Sequence, residues 1–141
     1  IDLHYGDFNL YLKNRLNVSR AFIFVGYDPD RSSLYDRLQA YGYNLVFKPT
    51  IKYTENGKTS MKGNVDAELV LNAAAIQYDN YDKAVIVTSD GDFACLNRFL
   101  VEQEKLAHII TPAKFYSSLF KSFSKYIIPL SNIKDNVSRK H

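Results

Sequence analysis

Three aspartates in two short segments carry the strongest chemical signal in the chain. In the segment Val85-Ile86-Val87-Thr88-Ser89-Asp90-Gly91-Asp92-Phe93, an apolar, β-branched run leads directly into two carboxylates separated by a glycine. Ligands of open α/β sheets bind beyond the carboxyl ends of the strands, so Asp90 and Asp92 stand where a site is expected. Gly91 permits a tight turn, and Asp92 falls at the expected N-cap of the following helix. Two carboxylates presented to one point suit a hard cation such as Mg²⁺ or Mn²⁺, which takes carboxylate and water oxygens. The competing reading is structural, with Asp92 capping the helix and Asp90 shaping the turn. Capping accounts for one acid and leaves the other unexplained.

The second segment is Lys62-Gly63-Asn64-Val65-Asp66-Ala67-Glu68-Leu69. Asn64 is a good N-cap, which places Asp66 in a first helical turn, where the helix dipole alone favours an acid. The functional reading sets Asp66 opposite the Asp90/Asp92 pair, with Lys62 near a phosphate. Asp66 and Glu68 lie two apart and do not share a helix face, so Asp66 is taken as the site residue and Glu68 as secondary. Lys48, Lys52, Lys58 and Lys62 cluster in and around one polar connection. They form either a solvated loop or a patch that tracks a phosphate backbone. Tyr27 and Tyr53, near predicted strand ends, could stack on bases. His4 and His108 are isolated and lack metal-ligand spacing, and Cys95 reads as a core thiol on the helix after Asp92.

The elements that must position these residues follow from hydrophobic periodicity. Phe8, Leu12 and Leu16 predict a helix over 6–16, and Ala21–Gly26 (AFIFVG) predicts a buried strand. Asp28-Pro29-Asp30 opens a helix over 32–41, capped by Gly42, and 44–48 reads as a second strand. The polar stretch 50–63, with its Asn56-Gly57 pair, is a hairpin or a mobile loop. A helix over 65–78 carries a Leu69, Ala73, Ile76 stripe. A strand over 84–89, a helix over 92–103, a strand over 107–111, a short helix over 116–123 and a strand segment over 126–129 complete the series. Continuous apolar strands alternating with helices predict an α/β fold, a mostly parallel sheet with helices on both faces. Residues 1–130 read as one domain, followed by a polar, basic tail over 131–141 that is expected to fray.

Composition bounds the rest. A chain of 141 residues with 46% apolar content can bury a core. A single cysteine excludes a disulfide framework and any Cys-based zinc cluster, and points to a reducing cytoplasm. No apolar run approaches the ~20 residues that span a bilayer, so no membrane partner is expected. The net charge of +3 permits a polyanionic partner without demanding one.

The two motifs in order, Lys62-Gly-Asn-Val-Asp66-Ala-Glu-Leu and Asp82-Lys-Ala-Val-Ile-Val-Thr-Ser-Asp90-Gly-Asp92-Phe93, resemble the NYN domain, particularly its LabA-like branch. The resemblance extends back through Phe22-Ile-Phe-Val-Gly-Tyr27 and Phe47-Lys-Pro-Thr50 and forward to Pro112 and Tyr116-Ser-Ser-Leu119. It implies a PIN-like three-layer α/β/α fold and Mg²⁺- or Mn²⁺-dependent endoribonuclease chemistry. On that likeness Asp66, Asp90 and Asp92 are the catalytic and metal-holding acids and the partner is RNA, expected single-stranded; beside those acids, the loop's lysine cluster gives Lys52, Lys58 and Lys62 as nucleic-acid contacts. A homodimer is an open arrangement. The pattern departs from the family in two places. The family's opening strand ends in a Phe-Ile-Asp-Gly-x-Asn-like segment whose Asp is a principal ligand, and this sequence reads as starting just after it; Ile1-Asp2 is the alternative remnant, but Leu3, Tyr5 and Phe8 align better with the following helix. Asn72 stands where relatives often carry an acid. The alternatives are a catalytically incomplete nucleic-acid-binding or scaffold module of the same fold, and another acidic α/β phosphoryl-transfer domain of the Toprim or phosphatase kind. The Lys-Gly-Asn-Val-Asp element counts against the last.

Overall fold

The computed structural model of the chain describes residues 3–62, 65–133 and 137, with the side chains of 51–53 and 59–62 outside the description. Two compact units are present, His4–Leu69 and Val70–His141 with Ile1–Leu3.

In the first unit, α1 (Tyr5–Leu16) starts at His4, whose Nδ1 accepts from the Asp7 amide at 3.1 Å, and ends at Asn17 in the left-handed region. Its fourfold spacing buries Phe8 and Leu12. The strand β1 (Ala21–Gly26) pairs in parallel with β2 (Tyr43–Lys48), in step from Ala21↔Tyr43 to Gly26↔Lys48. A parallel pair needs a crossover. Here it is a 3-10 turn, Pro29–Arg31, capped by Asp28, and then α2 (Ser32–Ala40), which buries Tyr35 and Leu38. Gly42, at φ 100°, supplies the left-handed residue that turns the chain from α2 into β2. The Tyr43 hydroxyl donates to the Tyr5 carbonyl at 2.6 Å, and burial pushes its pKa up, which keeps it a donor.

The polar stretch after β2 is a hairpin. Strands β3 (Ile51–Glu55) and β4 (Lys58–Lys62) are antiparallel, joined by Asn56 and Gly57 at φ 53° and 76°. Positive φ at both central positions belongs to the tight turn whose twist matches that of the strands, and Asn-Gly is its favoured pair.

Helix α3 (Asp66–Leu71) is followed without a break by a π turn, Asn72–Ile76, closed by the Gln77 amide donating to the Asn72 carbonyl at 2.8 Å. The expected Leu69, Ala73, Ile76 stripe assumed α-helical phase. The wider i→i+5 turn shifts that phase, and Ile76 is 56% exposed.

In the second unit, β5 (Ala84–Val87), β6 (Leu106–Thr111) and β7 (Ile127–Pro129) form a parallel sheet in that order. Helix α4 (Ala94–Glu102) connects β5 to β6 and buries Leu96, Asn97 and Leu100. With Ile109, Ile110 and Phe120 these residues form the centre of the unit's core. Lys105 lays its ammonium over the Tyr78 and Tyr81 rings, 4.0 and 4.4 Å from their centroids, and donates to the Tyr78 carbonyl. The segment from β6 to β7 is a loop and then a 3-10 helix, Ser118–Tyr126, broken at Phe123, where a short α-helix over 116–123 was expected. Part of the expected frayed tail packs: Leu130–Asn132 is a 3-10 turn, and Ile133 and Val137 are buried. The chain is thus mixed α/β with parallel strand pairs. No helix among the described residues is long and apolar enough to cross a membrane.

Candidate metal centre

β5 ends at Val87, two residues earlier than the apolar run suggests, because Thr88 and Ser89 turn their side chains to the backbone. The Thr88 amide still donates to the Ile110 carbonyl at 2.9 Å, while its Oγ1 accepts from the Asp90 amide at 3.0 Å. Asp90, not Asp92, is the cap. Its Oδ1 accepts from the Asp92 amide at 2.9 Å and starts a 3-10 turn, Gly91–Phe93, that feeds α4. The early turn places Asp92 inside the first turn rather than ahead of it. Capping therefore occupies one oxygen of Asp90. The Asp92 carboxylate makes no hydrogen bond or ion pair among the described residues. Phe93, buried beneath, anchors the turn to the core.

Gly91 is required for space rather than for backbone freedom. Its φ lies outside the left-handed region, and a Cβ there would stand 2.5 Å from Ser117 Oγ and 3.0 Å from a Leu119 methyl. Ser117 is not free to yield, since its Oγ caps the next 3-10 helix by accepting from the Leu119 amide at 3.2 Å. The same loop is tied to Ser89, whose Oγ accepts from the Ala113 amide at 2.9 Å. Gly91→Ala is expected to cost about 1–3 kcal/mol, the usual penalty for overpacking. Urea unfolding should show a lower midpoint with an unchanged slope. An unaltered midpoint would mean that Ser117 swings aside without loss.

Asp66 opens α3 and is half-buried, while Asp90 and Asp92 are exposed. Asp90 and Asp92 stand two residues apart on one turn, and Asp66 is the third member of an acidic set that could hold a metal ion. Its all-oxygen donors suit a hard cation.

Other residues singled out by the sequence fall as follows. Glu68 pairs with Lys48 at 3.8 Å. Lys58 is exposed on β4 in register with Glu55. The backbones of Lys52 and Lys62 lie on the hairpin, opposite Met61 and Ile51, but their side chains lie outside the described residues. So do Asp2 and the Tyr53 side chain. Tyr27 packs edge-on against Phe47 at 5.5 Å. His4 is a helix cap, and His108 sits within β6, opposite Val85. Cys95 is exposed rather than a core thiol, because α4 turns Ala94, Leu96, Asn97 and Leu100 inward and leaves position 95 on the outer face. The braces Ser89 and Ser117 were not legible as such; two serines in polar turns carry no periodicity that marks them.

No curated protein and no solved structure matches the chain. The NYN domain family matches it over residues 2–131. That span takes in both motifs, all three aspartates and every strand. The mixed α/β architecture with parallel strands accords with a PIN-like fold. The chain belongs to the NYN domain family.

Proposed function

We propose that the chain is a divalent-metal-dependent endoribonuclease, acting on single-stranded RNA with Mg²⁺ or Mn²⁺. The observation that carries this is the acidic set Asp66, Asp90 and Asp92, metal-ligand types all, within a NYN domain. These three residues would hold the metal. When bound, such an ion supplies a water of lowered pKa and neutralises charge on the phosphodiester transition state. Asp90 is preset by its own cap, since the Asp92 amide fixes Oδ1 and leaves the second oxygen to turn outward. The unpartnered Asp92 carboxylate contributes without giving up a bond among the described residues. Asp66, held in the first turn of α3, completes the set and orients the attacking water. Lys52, Lys58 and Lys62 would follow the phosphate backbone, and phosphate contacts of this kind position a strand without reading its sequence. The motif wording favours the LabA-like branch and the lone cysteine a reducing cytoplasm.

The test is a cleavage assay with single-stranded RNA in EDTA, in Mg²⁺ and in Mn²⁺, beside thermal melts without RNA. Cutting is expected only with metal. Metal alone should also raise stability, by about 2.7 kcal/mol at a hundredfold excess over its dissociation constant. If RNA stays intact in both metals and the melt does not move, the nuclease reading fails. Asn72, where relatives often carry an acid, favours one second reading, a module of the same fold that binds RNA without cutting it. In that case binding persists and cleavage does not.

A further inference from the structure

Next to the Asp90 turn the structure presents an aromatic side chain that the fold does not use. Phe115 is 81% exposed, on the loop between β6 and the 3-10 helix Ser118–Tyr126. A phenylalanine gains by burial, and Tyr116 and Leu119 nearby are also exposed, at 37% and 59%, so the loop presents a group of apolar side chains rather than a single one. The loop is fastened on both sides of it. The Ala113 amide donates to Ser89 Oγ at 2.9 Å, and the Ser117 amide reaches the Ser89 carbonyl at 3.4 Å. Ser117 and Leu119 press on Gly91. Beside Phe115, Tyr116 stacks on the fully buried Phe120 at 6.2 Å and 26°. These ties are to the residues on either side of Asp90, so the exposed ring is held at a set place relative to that carboxylate.

Along the chain, the charges on either side of the ring have one sign. Lys114 holds its ammonium 5.5 Å from the Phe115 centroid. From Lys105 to Asn132 the chain carries Lys105, Lys114, Lys121 and Lys125 and no carboxylate. A ring with one ammonium beside it, next to the proposed metal centre, matches a base and its neighbouring phosphate. Sequence-tolerant binders of single strands combine a basic track with aromatic faces for the bases.

We infer that Phe115 is a stacking platform for a base of single-stranded RNA, with Lys114 on the adjacent phosphate, and that it sets which nucleotide enters the Asp90/Asp92 turn. This inference rests on the proposed function for its substrate class. The platform is a binding element, not a catalytic residue.

The chain contains no tryptophan, so Phe115→Trp in the full chain installs a single tryptophan at the platform, excited selectively to the red of tyrosine absorption. It is titrated in EDTA, where cutting is off, with single-stranded oligoadenylate and with a sugar-phosphate oligomer of equal length that lacks bases. Saturable quenching is expected with oligoadenylate and not with the abasic oligomer. In a gel-shift titration Phe115→Ala should weaken oligoadenylate binding about five- to 150-fold, the range for losing one stacked base. Phe115→Tyr should bind as the parent does. Equal binding by Phe115→Ala, equal quenching by the abasic oligomer, or no RNA binding at all overturns the platform. Equal quenching would assign Lys114 a phosphate role alone. The nuclease reading is judged separately, by metal-dependent cutting in the parent chain. Cutting that survives with Phe115→Ala binding unchanged sinks only the platform. Base-dependent quenching without any cutting sinks only the nuclease.

Discussion

Asp90→Asn and Asp92→Asn are each expected to lower metal-dependent RNA cutting at least about a hundredfold, since even residues that merely support a metal ligand are worth 10- to 100-fold. Both substitutions keep the shape of the side chain and remove its charge. At position 90 an amide oxygen can still accept from the Asp92 backbone amide, so the cap and the turn should persist. The unfolding midpoint should then stay within about 0.5 kcal/mol of the parent value, as for ordinary surface changes. RNA binding without metal should be unchanged or tighter, because a negative charge facing phosphate is gone. The exposed Asp36 on α2 is outside the acidic set, and Asp36→Asn serves as the control. A pair of Asn variants that cut at half the parent rate or better would show that Asp90 and Asp92 are caps and turn formers only.

Asn97→Leu is expected to stabilise the chain by about 1–3 kcal/mol, against the usual direction for a core substitution. Asn97 faces into the core from α4 at 0% exposure, and neither amide atom finds a hydrogen-bond partner among the described residues. Folding strips such a group of water without replacing the lost bonds. Leucine has a similar outline, removes the polar atoms and contacts the same aliphatic neighbours. Thr111, at 1% exposure and with no partner for Oγ1 among the described residues, offers a second trial. Thr111→Val should raise the denaturant midpoint in the same sense. A lower midpoint in both variants would show that these groups are paired in solution and that the polar atoms contribute to stability.

The sequence was most informative where burial dictates residue type over several positions. Ala21–Gly26 is a strand with the bounds its apolar run implies, and the Asn56-Gly57 pair marks a hairpin through φ values that those residues adopt readily. Legibility fails where one hydrogen bond decides. Whether Asp90 or Asp92 caps depends on Thr88 Oγ1 taking the Asp90 amide, a choice invisible in a string of polar residues. The π turn after Leu71 depends on a displaced carbonyl partner, and Ile76 within it is exposed. Cys95 was misplaced for a related reason, since the 3-10 turn ahead of α4 sets which of its positions face inward. Asp66 joined the reading through motif order, because no local pattern links a first-turn acid to residues more than twenty positions away. Phe115 lacked periodic neighbours and read as an ordinary loop residue. The available clue was the run of lysines without acids around it.

The strand pairings also differ in how soon each can exist. Glu55 and Lys58 meet across a turn, so β3 and β4 can close within about 1–10 μs, the time of an isolated hairpin. Ala84 and Leu106 meet only after roughly 20 intervening residues have been gathered, and β7 joins only once β6 is in place. The Ser89, Ala113 and Ser117 ties depend on that later assembly. A nascent chain would thus own its hairpin early and its Asp90 turn late, and through that interval the acids would be present without being a site.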